Sequence, residues 1–126
     1  MRYVLATLTV VLGAAPALAD AEPEEFRYVG DNHKWSLVCN SSGYQLKSQY
    51  PVARFVEAGV NSKVVEGIET LDLGKTCDAL HNVLGKGKWC WANGGFRAEF
   101  ENSSIGFPRQ ELTCPDPKDD KEGCGC

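Results

Sequence analysis

Cys124-Gly125-Cys126 stands at the last positions of the sequence. Two thiolates one residue apart suit thiol exchange, or a soft ion such as Cu(I). Phe107-Pro108-Arg109-Gln110 is a second chemical feature. Proline pins the backbone before an arginine, the side chain that trypsin-like proteases take into an acid-lined pocket. With the Asn93-Gly94-Gly95 turn it makes a candidate contact loop, and Phe107, Arg109, Gln110 and Asn93 are the candidate binding residues.

Other constellations are weaker. Asp78 and His81 would be neighbours on a helix, where a carboxylate can orient an imidazole for proton transfer. No nucleophile pattern accompanies them, and His81 reads as a surface or edge histidine. His33 precedes a strand pattern and has no partner in sequence. Catalytic residues are therefore not assigned, and the chain reads as a non-enzyme. Gly74-Lys75-Thr76 resembles the end of a phosphate-binding loop. The glycine such a loop needs five residues before Gly74 is Glu69, so nucleotide is not expected. Cysteines and histidines in the body lack the close pairing of zinc sites, and the acids near the end lack the alternation of a calcium loop. No pattern implies a cofactor. Trp89-x-Trp91 with Phe96 reads as core rather than as an exposed stacking platform. Asn40-Ser41-Ser42 and Asn102-Ser103-Ser104 match the glycosylation acceptor pattern, and both fall on expected turns.

The compartment follows from the first residues. Arg2, an apolar run from Val4 to Leu12, and Ala17-Leu18-Ala19 form a signal-peptide pattern over 1–19. That apolar run is too short to span a bilayer, and no later segment is a candidate span. The expectation is a periplasmic or secreted protein. Its partner would be another protein or an envelope component of unknown identity. The formal charge of −4 lies in the two ends, which leaves the body close to neutral. No basic face invites nucleic acid. Residues 20–32 read as an acidic leading segment, 33–115 as one domain, and 116–126 as an acidic flexible tail.

An even set of six cysteines in a small exported chain implies disulfides. The expected bridges are Cys39–Cys114, joining the first and last strands, and Cys77–Cys90, closing a short loop. Cys124 and Cys126 are left for a tail disulfide, for a bond from one of them back to the body, or for redox or metal work. The elements that position these residues are mostly strands. Residues 34–39 and 44–50 form a hairpin that pairs Leu37 with Leu46 and Cys39 with Tyr44. Residues 52–56 and 63–73 are further strands, with a bend at Gly67. The Asn93-Gly94 turn pairs Trp91 with Phe96, Trp89 with Ala98 and Lys88 with Glu99. A turn at Asn102-Ser103 pairs Phe100 with Ile105 and Ala98 with Phe107. Residues 111–114 read as a last short strand. Residues 77–84 carry a helical stripe, with Thr76 as cap and Gly85 as stop. The expected fold is mostly β (α+β): a small antiparallel twisted sheet or β-meander with one short helix, stabilised by disulfides. The expected function is an exported binding or inhibitor-like module. The alternative is a thiol redox or soft-metal protein acting through Cys124 and Cys126.

Overall fold

The computed structural model describes residues 25–58, 60–116 and 123–126. The leader, the first acidic residues and 117–122 lie outside the described residues. Ten strands follow one another: β1 (Tyr28–Gly30), β2 (His33–Asn40), β3 (Gly43–Ser48), β4 (Val52–Ala58), β5 (Asn61–Gly67), β6 (Thr70–Gly74), β7 (Asp78–His81), β8 (Gly85–Ala92), β9 (Gly95–Glu99) and β10 (Ser104–Phe107). Eight form an antiparallel sheet in the order β1-β2-β3-β6-β7-β8-β9-β10. The remaining two, β4 and β5, pair only with each other. They form a hairpin arm inserted between β3 and β6.

Period-two alternation drives the sheet. Trp35 and Leu46 from the first hairpin, Leu71 and Leu73 from β6, and Trp89, Phe96, Ile105 and Phe107 from the later strands all point inward and are essentially inaccessible. Each large apolar side chain so buried contributes roughly 1.5–3 kcal/mol. The expected registers appear at Leu37–Leu46, Cys39–Tyr44, Trp91–Phe96, Trp89–Ala98 and Lys88–Glu99. Asn93 and Gly94 take positive φ of 55° and 68°, as a two-residue hairpin turn demands.

The sheet curls until its edges meet, so the result is nearly a barrel rather than an open twisted sheet. No backbone ladder joins β1 to β10. A side chain supplies the seam instead. Gln110 Nε2 donates to Val29 O and Val29 N donates to Gln110 Oε1, both at 2.7 Å. The amide of Gln110 thus offers one donor and one acceptor where a strand would offer its backbone. Beside it Tyr28 Oη donates to Glu111 O at 2.8 Å and accepts from Thr113 N at 3.3 Å. Gly30 permits the closure, because a Cβ there would lie 2.5 Å from the Phe107 ring. The bridge Cys39–Cys114 forms as expected and ties β2 to the segment after β10.

Several expectations are corrected. Residues 77–84 form no helix: β7 occupies Asp78–His81, and Cys77 turns the chain at φ 67°. Ala79 and His81 face inward while Leu80 is exposed, a period of two that an eight-residue window does not separate from a helical stripe. A helix would also leave the facing edges of β6 and β8 without partners; β7 pairs with both. The strand expected over 63–73 breaks at Ile68-Glu69 into β5 and β6. The β9–β10 register is offset by two, setting Ala98 opposite Ile105 and Phe96 opposite Phe107. An offset of two keeps the same face inward, and it stacks the Phe96 and Phe107 rings at 4.4 Å. Residues 111–114 form no strand, and β1 falls in the segment read as an acidic lead.

The tail bridges differ most. Cys77 bonds Cys124 and Cys90 bonds Cys126, so the Cys77–Cys90 pair does not form. Because β7 is shorter than β8, it leaves Trp89 and Trp91 without β7 partners. Trp89 N donates to Cys77 O, and Trp91 N donates to Cys124 O. Residues 123–126 therefore lie along β8 as its missing neighbour. Every cysteine is in a bridge, and none is free.

Replacing Gln110 with alanine removes both seam hydrogen bonds at a half-exposed position. The expected loss is about 1 kcal/mol in urea-unfolding stability. Amide exchange at Val29 should accelerate while Leu46 and Leu71 stay protected. Unchanged exchange at Val29 would show that Gln110 does not hold the seam.

Candidate functional site

The two ends of the barrel differ in chemistry. One end carries the β1–β2 turn, the hairpin arm, the Asn82–Leu84 turn and the Phe100–Ser103 loop. This end, the mouth, contains a buried polar cluster that sequence reasoning missed. Glu69 follows the arm and is wholly buried, as is His81 at the end of β7. Backbone reciprocity seats Glu69: its N–H donates to Ser48 Oγ at 2.8 Å, and Ser48 N donates to Glu69 O at 2.8 Å.

Arg54 reaches in from β4. Its guanidinium donates through Nε to Glu69 Oε2 and through NH2 to Glu69 Oε1 at 2.7 Å. The same NH2 donates to Asp31 Oδ2 in the β1–β2 turn. One side chain therefore ties the arm to two places on the barrel. His81 Nε2 lies 3.3 Å, and His33 Nε2 3.7 Å, from Glu69 Oε1. Trp35 forms the floor, with its ring 4.5 Å from that of His33 and 6.4 Å from that of His81.

Burial pushes the Glu69 carboxyl up, but hydrogen bonding with His81 and Arg54 and the positive charge of Arg54 outweigh it and lower it to about 2. The hydrogen bond to Glu69 leads in raising Arg54 above its usual value. The tautomers follow from backbone contacts. His81 Nδ1 accepts from Val83 N and Leu84 N, both at 3.0 Å, so Nε2 carries the proton and faces Glu69. His33 Nδ1 donates to Asp31 O at 2.9 Å.

This geometry suits a latch and not catalysis. Glu69 has 1% side-chain exposure, so no substrate reaches its oxygens. Ser48, the nearest hydroxyl, donates to Tyr50 O at 2.9 Å and accepts from Glu69. His81 Nε2 bears a proton, so it has no lone pair for a metal. No set of three His, Cys, Asp or Glu side chains suited to a metal occurs among the described residues.

His81 is therefore a core residue rather than a surface or edge one. Asp78 does not orient it: residues three apart on a strand face opposite ways, and Asp78 accepts from Thr76 Oγ1 at 2.6 Å. Trp89 and Phe96 are buried, with Trp91 packed edge-on against both.

The other sequence-derived candidates lie at the far end. A Cβ on Gly95 would meet Arg109 N at 2.8 Å, so the Asn93–Gly95 turn and the Pro108-Arg109 turn adjoin there. A shallow hollow of about 180 Å³ touches Asn93, Arg97 and Pro108. Phe107 is fully buried, and the Gln110 amide is engaged at the seam. Arg109 and Asn93 remain exposed, at positive φ of 57° and 55°. Both acceptor sequences fall on turns: Asn40 Oδ1 accepts from Ser42 N and Gly43 N, while Asn102 lies exposed in the β9–β10 loop. The chain matches no protein-family model, no curated protein and no solved structure.

Glu69 contributes stability that is present above its ordinary value of 4.5 and lost as pH falls through about 2. The expected size is about 3 kcal/mol. In acid-unfolding curves followed by tryptophan fluorescence, Glu69→Gln should lack this segment and be less stable at neutral pH. A parallel decline of both proteins between pH 4.5 and 2 would remove Glu69 as the cause.

Proposed function

We propose that this chain is a non-enzymatic, extracytoplasmic binding module whose contact surface is the hairpin arm and the mouth it overhangs. One observation carries the reading. The arm belongs to no other sheet, yet it exposes Phe55 (66%), Val64 (65%) and, at its tip, Val60 (99%), with Tyr50 (69%) at its base. Phe55 and Val64 pair directly across the hairpin on its outer face. Apolar side chains clustered on a latched, two-stranded element mark a contact surface more than a core. Three disulfides are compatible with a periplasmic or secreted location. No helix among the described residues is long and apolar enough to cross a membrane.

The inhibitor form of this reading rests on Arg109, and has less support. A segment read by a trypsin-like protease lies extended, whereas Arg109 takes a left-handed backbone. The redox or soft-metal reading needs thiolates, and Cys124 and Cys126 are both bridged to the body.

A photo-crosslinking residue placed at Phe55, and separately at Arg109, tests the assignment in the extracytoplasmic fraction of producing cells. The expected result is a partner captured from position 55 and not from 109. Phe55→Ser with Val64→Ser should abolish capture by a probe at Val60 while changing stability by no more than about 0.5 kcal/mol, because both side chains are already exposed. Capture from position 109 alone would move the contact surface to the far end.

A further inference from the structure

The arm does more than display its outer face. A groove of about 440 Å³ runs between β4 and the two mouth loops. Phe55, Val56 and Glu57 line it along the free edge of β4, Val83, Leu84 and Phe100 line it from the barrel, and Glu101, Asn102 and Ser103 supply the polar groups of its rim. We propose that this groove takes an extended peptide segment with alternating basic and apolar side chains, added as a strand to the free edge of β4. The proposal rests on the reading that arm and mouth are the contact surface, and it names what that surface recognises.

Two observations select the occupant. First, β4 pairs with β5 alone, so its groove-side edge has no ladder partner among the described residues. A strand edge beside an apolar groove recognises extended backbone through main-chain hydrogen bonds, and takes side chains into pockets at alternate positions. Second, the charge in the groove has one sign. Glu57 and Glu101 are exposed, and neither has an ion-pair partner among the described residues. No cation among the described residues lines the groove, and Arg54 on the same strand is held by Glu69 and Asp31. Lys63 lies opposite Val56 on β5, outside the lining. Apolar walls flanked by two free carboxylates complement lysine or arginine set beside valine or leucine.

The same sign rules against nearer occupants. The acidic stretch with Asp20, Glu22, Glu24 and Glu25 would meet like charge. A second copy docking face to face would oppose Glu57 and Glu66, which flank the Phe55–Val64 pair on the outer face. The latch gives the groove its shape: Arg54 immediately precedes Phe55, so its bonds to Glu69 and Asp31 set the distance of β4 from the barrel.

The test titrates the mature, disulfide-bonded protein with three synthetic peptides, followed by amide chemical shifts. They are acetyl-Val-Lys-Val-Lys-Val-amide, its Glu counterpart, and a version with proline at the central position. Saturable shifts are expected with the Lys peptide at residues 55–57, 83–84 and 100–103. Proline removes a backbone donor, and should weaken binding. The Glu peptide should not bind. Glu57→Gln combined with Glu101→Gln should raise the Kd about tenfold, roughly threefold for each exposed carboxylate. Both positions are exposed, so the variant should keep its thermal midpoint. The proposal is overturned by absence of saturable shifts at those residues, or by equal affinity for the double variant. If crosslinking from Phe55 still captures a partner in that case, the contact surface stands and only its peptide specificity falls. If both fail, the reading of the arm falls with it.

Discussion

A carboxylate removed from water must find its compensation inside the protein, and Glu69 sets that condition for the whole mouth of this barrel. Burying an unpaired charge costs several kcal/mol. The backbone of Glu69 is already committed to Ser48, so the side chain has no route back to solvent. Arg54 must therefore come in, and β4 comes with it. His81 must hold its proton on Nε2, which the Val83 and Leu84 amides enforce by occupying Nδ1. Asp31 then takes up the remaining reach of the guanidinium. One buried ion thereby holds β4 against the barrel, through the bonds of Arg54 to Glu69 and Asp31.

The rest of the barrel is closed by devices that spare the backbone. The Gln110 amide replaces a stretch of ladder between β1 and β10. The last four residues replace a stretch of β7 beside β8. Three disulfides then hold those substitutes in place, which a domain of this size needs because its buried core is small. The result is a closed body with one element, the arm, that the eight-stranded sheet does not absorb. The polar cluster of Asp31, His33, Arg54, Glu69 and His81 ties that arm to the barrel, while Phe55, Val60 and Val64 stay exposed on it.

Local signals were legible where neighbours in sequence are neighbours in space. Asn93-Gly94 determines its own hairpin register, and Asn40 to Gly43 does the same for the first. Where a short window carries two periods at once, local reading fails. Cys77, Leu80 and Leu84 make a helical stripe, and Ala79 with His81 makes a strand, within the same eight residues. The unpaired edges of β6 and β8 decide between them, and both edges lie outside that window. The candidate site was less legible still. Asp31, His33, Arg54, Glu69 and His81 are spread over fifty positions with no motif spacing, and His81 taken alone reads as a surface or edge residue. Arg109 and Gln110 look alike in sequence, yet one is exposed and the other closes the sheet.

The sequence by itself determined composition and alternation: a small, cysteine-bridged, antiparallel β domain with aromatic residues inside and acidic ends. Those properties depend on side-chain period and turn chemistry, which act over a few residues. Only the tertiary structure decided which cysteines the tail would meet, that the sheet would curl until Gln110 could bridge its edges, and that a buried glutamate would draw an arginine and its strand across the mouth. These depend on which groups lose water together, and that is settled only when distant strands have packed.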